Sequence, residues 1–317
     1  MAKGQDDYFL ANGFTRTIHT RANAAIDPSK NKLPKELNIL VVGASRGIGE
    51  GIAYAYAQAG AANLILAARA SSSKEVAAVA EKAKALNPSV SVTSLHVDIT
   101  DSSSVAALAQ DVKEKFGHLD VLVLNSGLAG ALILDITTGD PQDFKKCFDV
   151  NVQGTYLIAH HLLPLVKESK GPKLFIVVST FASLITGGPF AHTAYCVSKM
   201  AQARIVEYIA EQFGDEGLVA VAVHPGAVTT EATTESCDEE TLKNFTDDVG
   251  LCGAFCVWLS REKRSWLNGK LTSAKWDVDE LLEHKDKIES EGLLKLTYKV
   301  GDVSAALSDP PRDAIFI

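Results

Sequence analysis

Short apolar stretches alternate with longer amphipathic stretches over most of the chain. Apolar runs of about four to eight residues are typical of buried strands, whereas apolar residues three or four apart over longer runs predict helices. The predicted strands are residues 38–42, 63–68, 90–97, 120–124, 173–178 and 218–223. The predicted helices are residues 50–59, 74–86, 103–116, 143–165 and 201–213. Strands that alternate with helices predict an α/β fold, a doubly wound parallel sheet covered on both faces.

The two ends of the chain lack this alternation. Residues 1–36 have no strong periodicity and contain Pro28 and Pro34, which predicts an N-terminal arm lying on the main domain or on a partner subunit. Partial disorder of the arm is the alternative. The main domain is predicted to span residues 37–275 as a single unit, and residues 276–317 form a C-terminal extension.

Composition narrows the classes of protein that this pattern allows. Of the 317 residues, 46% are hydrophobic and the formal net charge is -8, which argues against a nucleic-acid groove. The five cysteines are scattered and odd in number, so a reducing, cytoplasmic setting is predicted rather than a disulfide framework. Cys252 and Cys256 have no second pair beside them, so no metal site is predicted. No signal peptide, transit peptide or membrane span is predicted either.

A glycine-rich loop, Gly43-Ala-Ser-Arg-Gly-Ile-Gly49, follows the first predicted strand and precedes the first predicted helix. Glycines in that place permit a tight turn and let the backbone approach a pyrophosphate, while the helix start offers free N–H groups. The spacing Gly-x-x-x-Gly-x-Gly differs from the usual dinucleotide pattern. We interpret the loop as a phosphate-binding site rather than a structural turn.

The end of the second predicted strand bears on the choice of cofactor. A carboxylate there would bind the adenosine ribose and select NAD. Ala67 and Ala68 stand in that place, Arg69 follows, and Arg46 of the glycine loop adds a second cation. Two guanidinium groups without a competing carboxylate suit a 2′-phosphate, so NADP(H) is the predicted cofactor. The alternative is that Arg69 is a solvated residue at a strand end.

Polar residues follow three further strands: Asp98 after the third, Asn125 after the fourth and Thr180 after the fifth. The carboxyl ends of parallel strands meet at the edge of the sheet where ligands bind, so these residues should lie near the glycine loop. Asp98 could accept from an adenine amino group, or it could cap the helix that begins near Ser102.

Tyr195 and Lys199 lie four residues apart at the head of the last predicted helix, so their side chains share one face. A free tyrosine titrates near pH ~10, and a nearby ammonium favours the phenolate and lowers that pKa. The pair would then supply a proton donor or acceptor near neutral pH. Alone, the spacing also fits a half-buried ring beside a solvated charge.

Together these residues resemble the short-chain dehydrogenase/reductase family, from about residue 38 to about residue 275. The resemblance is carried by Gly43-Ala-Ser-Arg-Gly-Ile-Gly49, Asp98, Asn125-Ser-Gly127, Asn151, Ser179-Thr180, Tyr195-Cys-Val-Ser-Lys199, Pro225-Gly-Ala-Val228 and Thr230. The arm and residues 276–281 resemble fungal members associated with secondary metabolism. The resemblance implies a Rossmann-like fold and a homodimer or homotetramer.

The resemblance also implies hydride transfer between NADP(H) and a ketone or secondary alcohol. Tyr195 would exchange a proton with the carbonyl oxygen, while Lys199 would lower the pKa of Tyr195 and hold the ribose. Asn151 would fix a water that links Lys199 to solvent.

One catalytic residue of the family is displaced in this sequence. The family serine usually lies thirteen residues before the tyrosine, where this chain has Ala182. Thr180 is therefore the predicted donor to the carbonyl oxygen, and Ser183 is the alternative.

The ligand-binding residues follow from the same resemblance. The implied cofactor-binding residues are Gly43, Ser45, Arg46, Gly47, Ile48, Gly49, Arg69, Asp98, Ile99, Asn125, Gly127, Tyr195, Lys199, Pro225, Gly226, Val228 and Thr230. Residues 128–140, 184–193 and 231–248 would form a pocket for a mostly apolar small molecule, with the acidic stretch after Thr230 as a mobile lid. A redox-sensing binding protein and a cofactor-assisted cyclase or dehydratase are the alternative functions.

Overall fold

The computed structural model describes residues 6–34, 36–236 and 239–297. The strands are β1 (Asn38–Val42), β2 (Asn63–Ala68), β3 (Ser91–His96), β4 (Val121–Leu124), β5 (Leu174–Val178), β6 (Val219–His224) and β7 (Lys270–Ser273). Within the described residues they form one seven-stranded sheet in the order β3-β2-β1-β4-β5-β6-β7. Each neighbouring pair is parallel, which confirms the predicted doubly wound, Rossmann-like α/β fold.

The helices connect the strands and cover the sheet. They are α1 (Asp6–Asn12), α2 (Gly47–Gln58), α3 (Ser73–Leu86), α4 (Ser102–Phe116), α5 (Pro141–Phe148), α6 (Gly154–Lys167), α7 (Thr193–Phe213), α8 (Glu231–Ser236), α9 (Glu239–Leu242), α10 (Leu251–Ser260), α11 (Val278–Glu283) and α12 (Lys285–Ser290). Every residue of β1, β4, β5 and β6 is buried. Their sequences are mostly apolar without alternation because a sheet covered on both faces exposes neither side of a strand.

Two differences from the sequence prediction bear on the sheet and on the site. β7 was not predicted, because its sequence Lys-Leu-Thr-Ser is short and three of its four residues are polar, yet all four are buried where it extends the sheet beside β6. The helix predicted at residues 143–165 is divided into α5 and α6 by a π-helical turn, Asp149–Gln153. Such turns widen a helix locally and often lie at functional sites.

The N-terminal segment packs against the segment that follows β7. The indole nitrogen of the buried Trp276 donates to the carbonyl of Ala11 at 2.9 Å, and its ring centroid lies 5.0 Å from that of Phe14. His19 lies 2.9 Å from the carboxylate of Asp277. These contacts join the predicted arm to the predicted extension, while the boundaries at residues 36 and 275 stay predictions.

Candidate active site

A cleft of about 530 Å³ lies beyond the carboxyl ends of β1, β2, β4 and β5. The strand order reverses at β1, and ligands of open α/β sheets bind at such a switch point. The predicted cofactor-binding residues that line the cleft are Gly43, Ser45, Arg46, Gly47, Ile48, Arg69, Asp98, Ile99, Asn125, Gly127, Tyr195, Lys199, Pro225 and Thr230. Gly49, Gly226 and Val228 are not among its lining residues.

Gly49 leaves room for the backbone of the glycine loop to fold closely on itself. A Cβ at this position would overlap the carbonyl oxygen of Gly43 and would lie 2.6 Å from Nδ2 of Asn125. Asn125 fixes the loop by donating from Nδ2 to the carbonyl of Gly43 at 2.8 Å. Gly43 itself has a φ of 86°, a left-handed conformation that favours glycine.

The loop fits a pyrophosphate. No side chain caps α2 at Arg46, so the first N–H groups of the helix are available to an anion. The helix dipole adds partial positive charge at the same place.

Gly226 and Val228 belong to a turn on the opposite wall of the cleft. Gly226 has a φ of 99°, and a carboxylate oxygen of Asp247 accepts from the backbone N–H of Ala227 at 2.6 Å. Asp247 also pairs with the ammonium of Lys275 at 2.7 Å, and Val228 is buried. The turn is therefore fixed by a largely buried ion pair.

One end of the cleft carries both predicted cations. Arg69 lines the cleft, and the guanidinium of Arg46 pairs with the carboxylate of Glu231 on α8 at 2.7 Å. Both members of that pair are exposed, and exposed pairs are weak, so an incoming phosphate could displace Glu231.

Asp98 does not cap a helix. Its Oδ1 accepts from the backbone N–H and the hydroxyl of Thr100 at 2.9 and 2.7 Å. These hydrogen bonds, with a smaller contribution from Arg69, hold the pKa of Asp98 below its usual range. The cap of α4 is instead Asp101, which accepts from the N–H of Ser103 at 2.9 Å.

Tyr195 lines the inner end of the cleft, and Thr180 lies beside it. The side chain of Thr180 favours the charged form of the Tyr195 phenol and so acts to lower its pKa. Thr180 precedes a short 3₁₀ helix, Phe181–Leu184, where its Oγ1 accepts from the N–H of Ala182 at 3.1 Å. Ser183 donates its hydroxyl to the carbonyl of Thr180 at 2.6 Å and is buried. The geometry therefore favours Thr180 over Ser183 as the partner of Tyr195.

Lys199 is buried, with its ammonium 6.0 Å from the ring centroid of Tyr195. Nζ donates to the carbonyl of Val178 at 3.1 Å and to Oε1 of Gln202 at 2.9 Å. Burial lowers the pKa of Lys199 to about 8, because a charged ammonium loses its hydration there.

The lowering of the Tyr195 pKa that was predicted from the ammonium of Lys199 is not the dominant effect. Burial raises the pKa of Tyr195 above its ordinary value, Cys196 raises it further, and Thr180 lowers it only in part. Tyr195 as a whole is partly exposed, at the wall of the cleft, yet the loss of hydration still dominates the shift of its pKa. Tyr195 therefore keeps its proton at neutral pH.

Asn151 lies in the π-helical turn and holds the loop after β4. Its Oδ1 accepts from the N–H of Leu128, and its Nδ2 donates to the carbonyl of Leu128 and to the hydroxyl of Ser198, each at 2.8–2.9 Å. Its own carbonyl accepts from Thr155 and Gln202. Protein groups therefore hold Asn151 in place, while its role in fixing a water for Lys199 stays a prediction.

Gln202 and Thr155 were missed by the sequence analysis. Both are fully buried beside Lys199 and Asn151. The sequence held one signal that could have identified Gln202. It is a polar residue three positions after Lys199, on the same buried face of α7 as Lys199, Val206 and Ile209.

A second cavity of about 290 Å³ adjoins the start of α7. It is lined by Ile133, Phe144 and His192 among others, and burial lowers the pKa of His192. Phe190 and Phe245, both predicted to contact substrate, pack edge to face with centroids 6.3 Å apart. The lining is mainly apolar, as expected for a hydrophobic ligand.

Within the described ranges there is neither a candidate metal site nor a candidate membrane-spanning helix. No group of three or more histidine, cysteine, aspartate or glutamate side chains within residues 6–34, 36–236 and 239–297 could hold a metal ion. No helix in those same ranges is long and apolar enough to cross a bilayer.

Comparison with known proteins agrees with this geometry. A family model described as enoyl-(acyl carrier protein) reductase matches residues 43–269. Short chain dehydrogenase pgmD of Aspergillus terreus is 37% identical over 89% of this chain and 93% of its own length. Short chain dehydrogenase mpl6 of Monascus purpureus is 38% identical over 81% of this chain and 87% of its own.

A solved structure shares the fold. The Pseudomonas aeruginosa RhlG/NADP active-site complex superposes with a TM-score of 0.67 and 23% identity, over 76% of this chain and 95% of that one. The family model covers most of the sheet, and relatives above 30% identity cover most of the chain. The protein therefore belongs to the short-chain dehydrogenase/reductase family.

Proposed function

We propose that this protein is an NADP(H)-dependent oxidoreductase that reduces a ketone to a secondary alcohol on a mostly apolar small molecule of secondary metabolism. One observation carries the proposal: Tyr195 lies next to both Thr180 and Lys199, at the wall of a cleft that begins at a phosphate-binding loop. Two hydroxyl groups so close together can both reach one carbonyl oxygen.

The roles of the three side chains follow from their protonation. In the reduction direction Thr180 donates a hydrogen bond to the carbonyl oxygen, and Tyr195, protonated at neutral pH, gives that oxygen its proton. The phenolate left on Tyr195 is stabilised by the ammonium of Lys199, since a positive charge favours the charged form of a neighbouring acid.

The residues of the cleft suit a dinucleotide, which supplies a hydride to the carbonyl carbon when bound. The glycine loop and the start of α2 would hold its pyrophosphate, and Arg46 and Arg69 its 2′-phosphate. Lys199 would hold the ribose next to the nicotinamide, and residues 225–230 would cover the nicotinamide.

Two observations support the substrate class. The cavity beside α7 is lined largely by apolar side chains, among them Ile133, Ile136 and Phe144. The similar proteins pgmD and mpl6 are fungal short chain dehydrogenases, which fits a role in fungal secondary metabolism.

The test replaces Tyr195 by phenylalanine. Tyr195→Phe removes the proton donor, so we expect turnover to fall by ~10²–10⁴-fold while NADPH still binds. NADPH absorbance is followed with a panel of ketones, and NADPH binding is titrated by fluorescence.

Tyr208→Phe is the matched control, since Tyr208 lies on the same helix with 63% of its surface exposed and should keep full turnover. Thr180→Val should also lose most of its turnover. A Tyr195→Phe variant that reduces ketones as fast as the wild type would refute the proposal.

A further inference from the structure

Gln202 occupies an unusual place on α7. Its side chain is fully buried, on the helix face that packs against the sheet and α6. Its Oε1 accepts from Nζ of Lys199 at 2.9 Å. Its Nε2 donates to the carbonyl of Asn151 at 3.2 Å and to the hydroxyl oxygen of Thr155 at 2.8 Å. One carboxamide therefore links the ammonium of Lys199 directly to the π-helical turn.

The partners fix the orientation of this amide. On one side lie two acceptors, of which the Thr155 hydroxyl donates its own proton to the carbonyl of Asn151 at 2.7 Å. On the other side lies an ammonium, which can only donate. The amide nitrogen must therefore face Asn151, and the amide oxygen must face Lys199. A buried amide is costly unless it is paired in this way.

We propose that Gln202 is a positioning residue that holds Lys199 for the reaction, by joining its ammonium to the carbonyl of Asn151 and the hydroxyl of Thr155. The inference rests on the function proposed above, because Lys199 is held for the sake of Tyr195 and the ribose. An amide accepts at oxygen and donates at nitrogen but does not pass a proton on, so Gln202 fixes Lys199 without relaying a proton beyond it.

The charge on Lys199 depends on this contact. The neighbouring titratable groups are Cys147 of α5 and, on the same helix, Tyr195. Burial raises the pKa of both, so neither carries a negative charge at neutral pH. The carbonyl of Val178 and Oε1 of Gln202 are then the dipoles that offset the desolvation of the ammonium.

The experiment compares three variants of the full-length protein. Gln202→Met keeps the length of the side chain and removes the acceptor. Gln202→Glu replaces the acceptor by a carboxylate. Ser260→Ala is the control, because Ser260 is equally buried at the end of α10, a helix that does not line the cleft. Its hydroxyl bonds to the hydroxyl of Tyr56 on α2 and to the carbonyl of Cys256 on α10. The titration of Lys199 is followed by NMR of ¹³C-labelled lysine, with Lys199→Met to assign the signal.

The two substitutions should shift the titration in opposite directions. Gln202→Met should lower the pKa of Lys199 by about one unit, since the ammonium loses an acceptor, and Gln202→Glu should raise it by at least about one unit. The alkaline limb of the kcat profile should follow these shifts. Ser260→Ala should lower the melting temperature without moving the titration.

An unchanged Lys199 titration in both Gln202 variants would overturn the inference and leave Gln202 as a packing residue. The two proposals fail separately. If the titration shifts as expected but the wild-type protein transfers no hydride from NADPH, the proposed function is wrong while the contact between Gln202 and Lys199 stands.

Discussion

Burial sets the protonation of individual residues at the carboxyl edge of the sheet. Tyr195 keeps its proton and Lys199 loses its proton more easily than in water, both because a charge is poorly solvated there. His224, at the end of β6, follows the same rule, since burial and the nearby Lys275 lower its pKa to about 3. Its ring stacks on Phe181, and Nδ1 accepts from the N–H of Phe181.

His224 should make the protein sensitive to acid. The unfolded chain protonates this histidine near pH 6.5, whereas the folded protein does so only near pH 3. The free energy of unfolding therefore falls as the pH falls from 6.5 towards 3, by ~2 kcal/mol between pH 6.5 and 5. In urea denaturation, His224→Gln should show a shallower loss of stability across that range. His160→Gln, at an exposed histidine of α6, should keep the wild-type slope of the free energy of unfolding against pH. Equal slopes for the wild type and both variants would contradict the assignment of the acid sensitivity to His224.

At the scale of elements, the ends of three segments meet at the adenosine side of the cleft. Arg46 precedes α2, Arg69 follows β2, and Glu231 begins α8. The ion pair between Arg46 and Glu231 ties α8 to the glycine loop. A bound 2′-phosphate would compete with Glu231 for Arg46, so cofactor choice and the position of α8 depend on the same guanidinium.

Removing either cation should change the preference for the cofactor. Arg46→Ala and Arg69→Ala should each weaken NADPH binding on the order of 10- to 100-fold, because a charge-assisted hydrogen bond to phosphate is lost. Binding of NADH, which lacks the 2′-phosphate, should change little. Calorimetric titration with both dinucleotides measures this. Arg261→Ala is the control, since Arg261 bonds to Asn31 away from the cleft; parallel losses for NADPH and NADH would argue against the NADP(H) assignment.

At the scale of the whole molecule, α6 and α7 both expose apolar side chains. Tyr156 is 58% exposed on α6, and Val197, Met200 and Tyr208 are exposed on α7. Exposed apolar side chains that lie together on a folded protein mark an interaction surface. We propose that the two helices form the interface of a homodimer or homotetramer.

Charge placed on this surface should separate the subunits. Light scattering should show a dimer or tetramer for the wild type. The double variant Tyr156→Glu, Tyr208→Glu should be monomeric, because symmetry brings the introduced charges together at an isologous interface. Leu86→Glu, at a side chain 40% exposed at the end of α3, should leave the mass unchanged. A wild-type monomer at micromolar concentration would rule out the interface.

The sequence by itself determined the order of strands and helices and most of the lining of the cleft. A mostly apolar run such as residues 38–42 predicts a strand that is buried on both sides, because helices cover both faces of a parallel sheet. Gly43 and Gly49 could be assigned to a glycine loop from the chain alone. The structure shows that Gly43 takes a left-handed conformation and that Gly49 leaves room for the carbonyl of Gly43.

Tertiary structure decided what depends on contacts between distant residues. The polar sequence of β7 becomes a strand because β6 offers it an edge, and the balance of pKa values at Tyr195 follows from burial that no local pattern reports. Gln202 contacts Asn151 across 51 residues of sequence, so the link from Lys199 through Gln202 to the π-helical turn exists only after that turn and α7 have packed together. Hydrogen bonds of this kind have no periodicity along the chain, and only the folded arrangement brings their partners together.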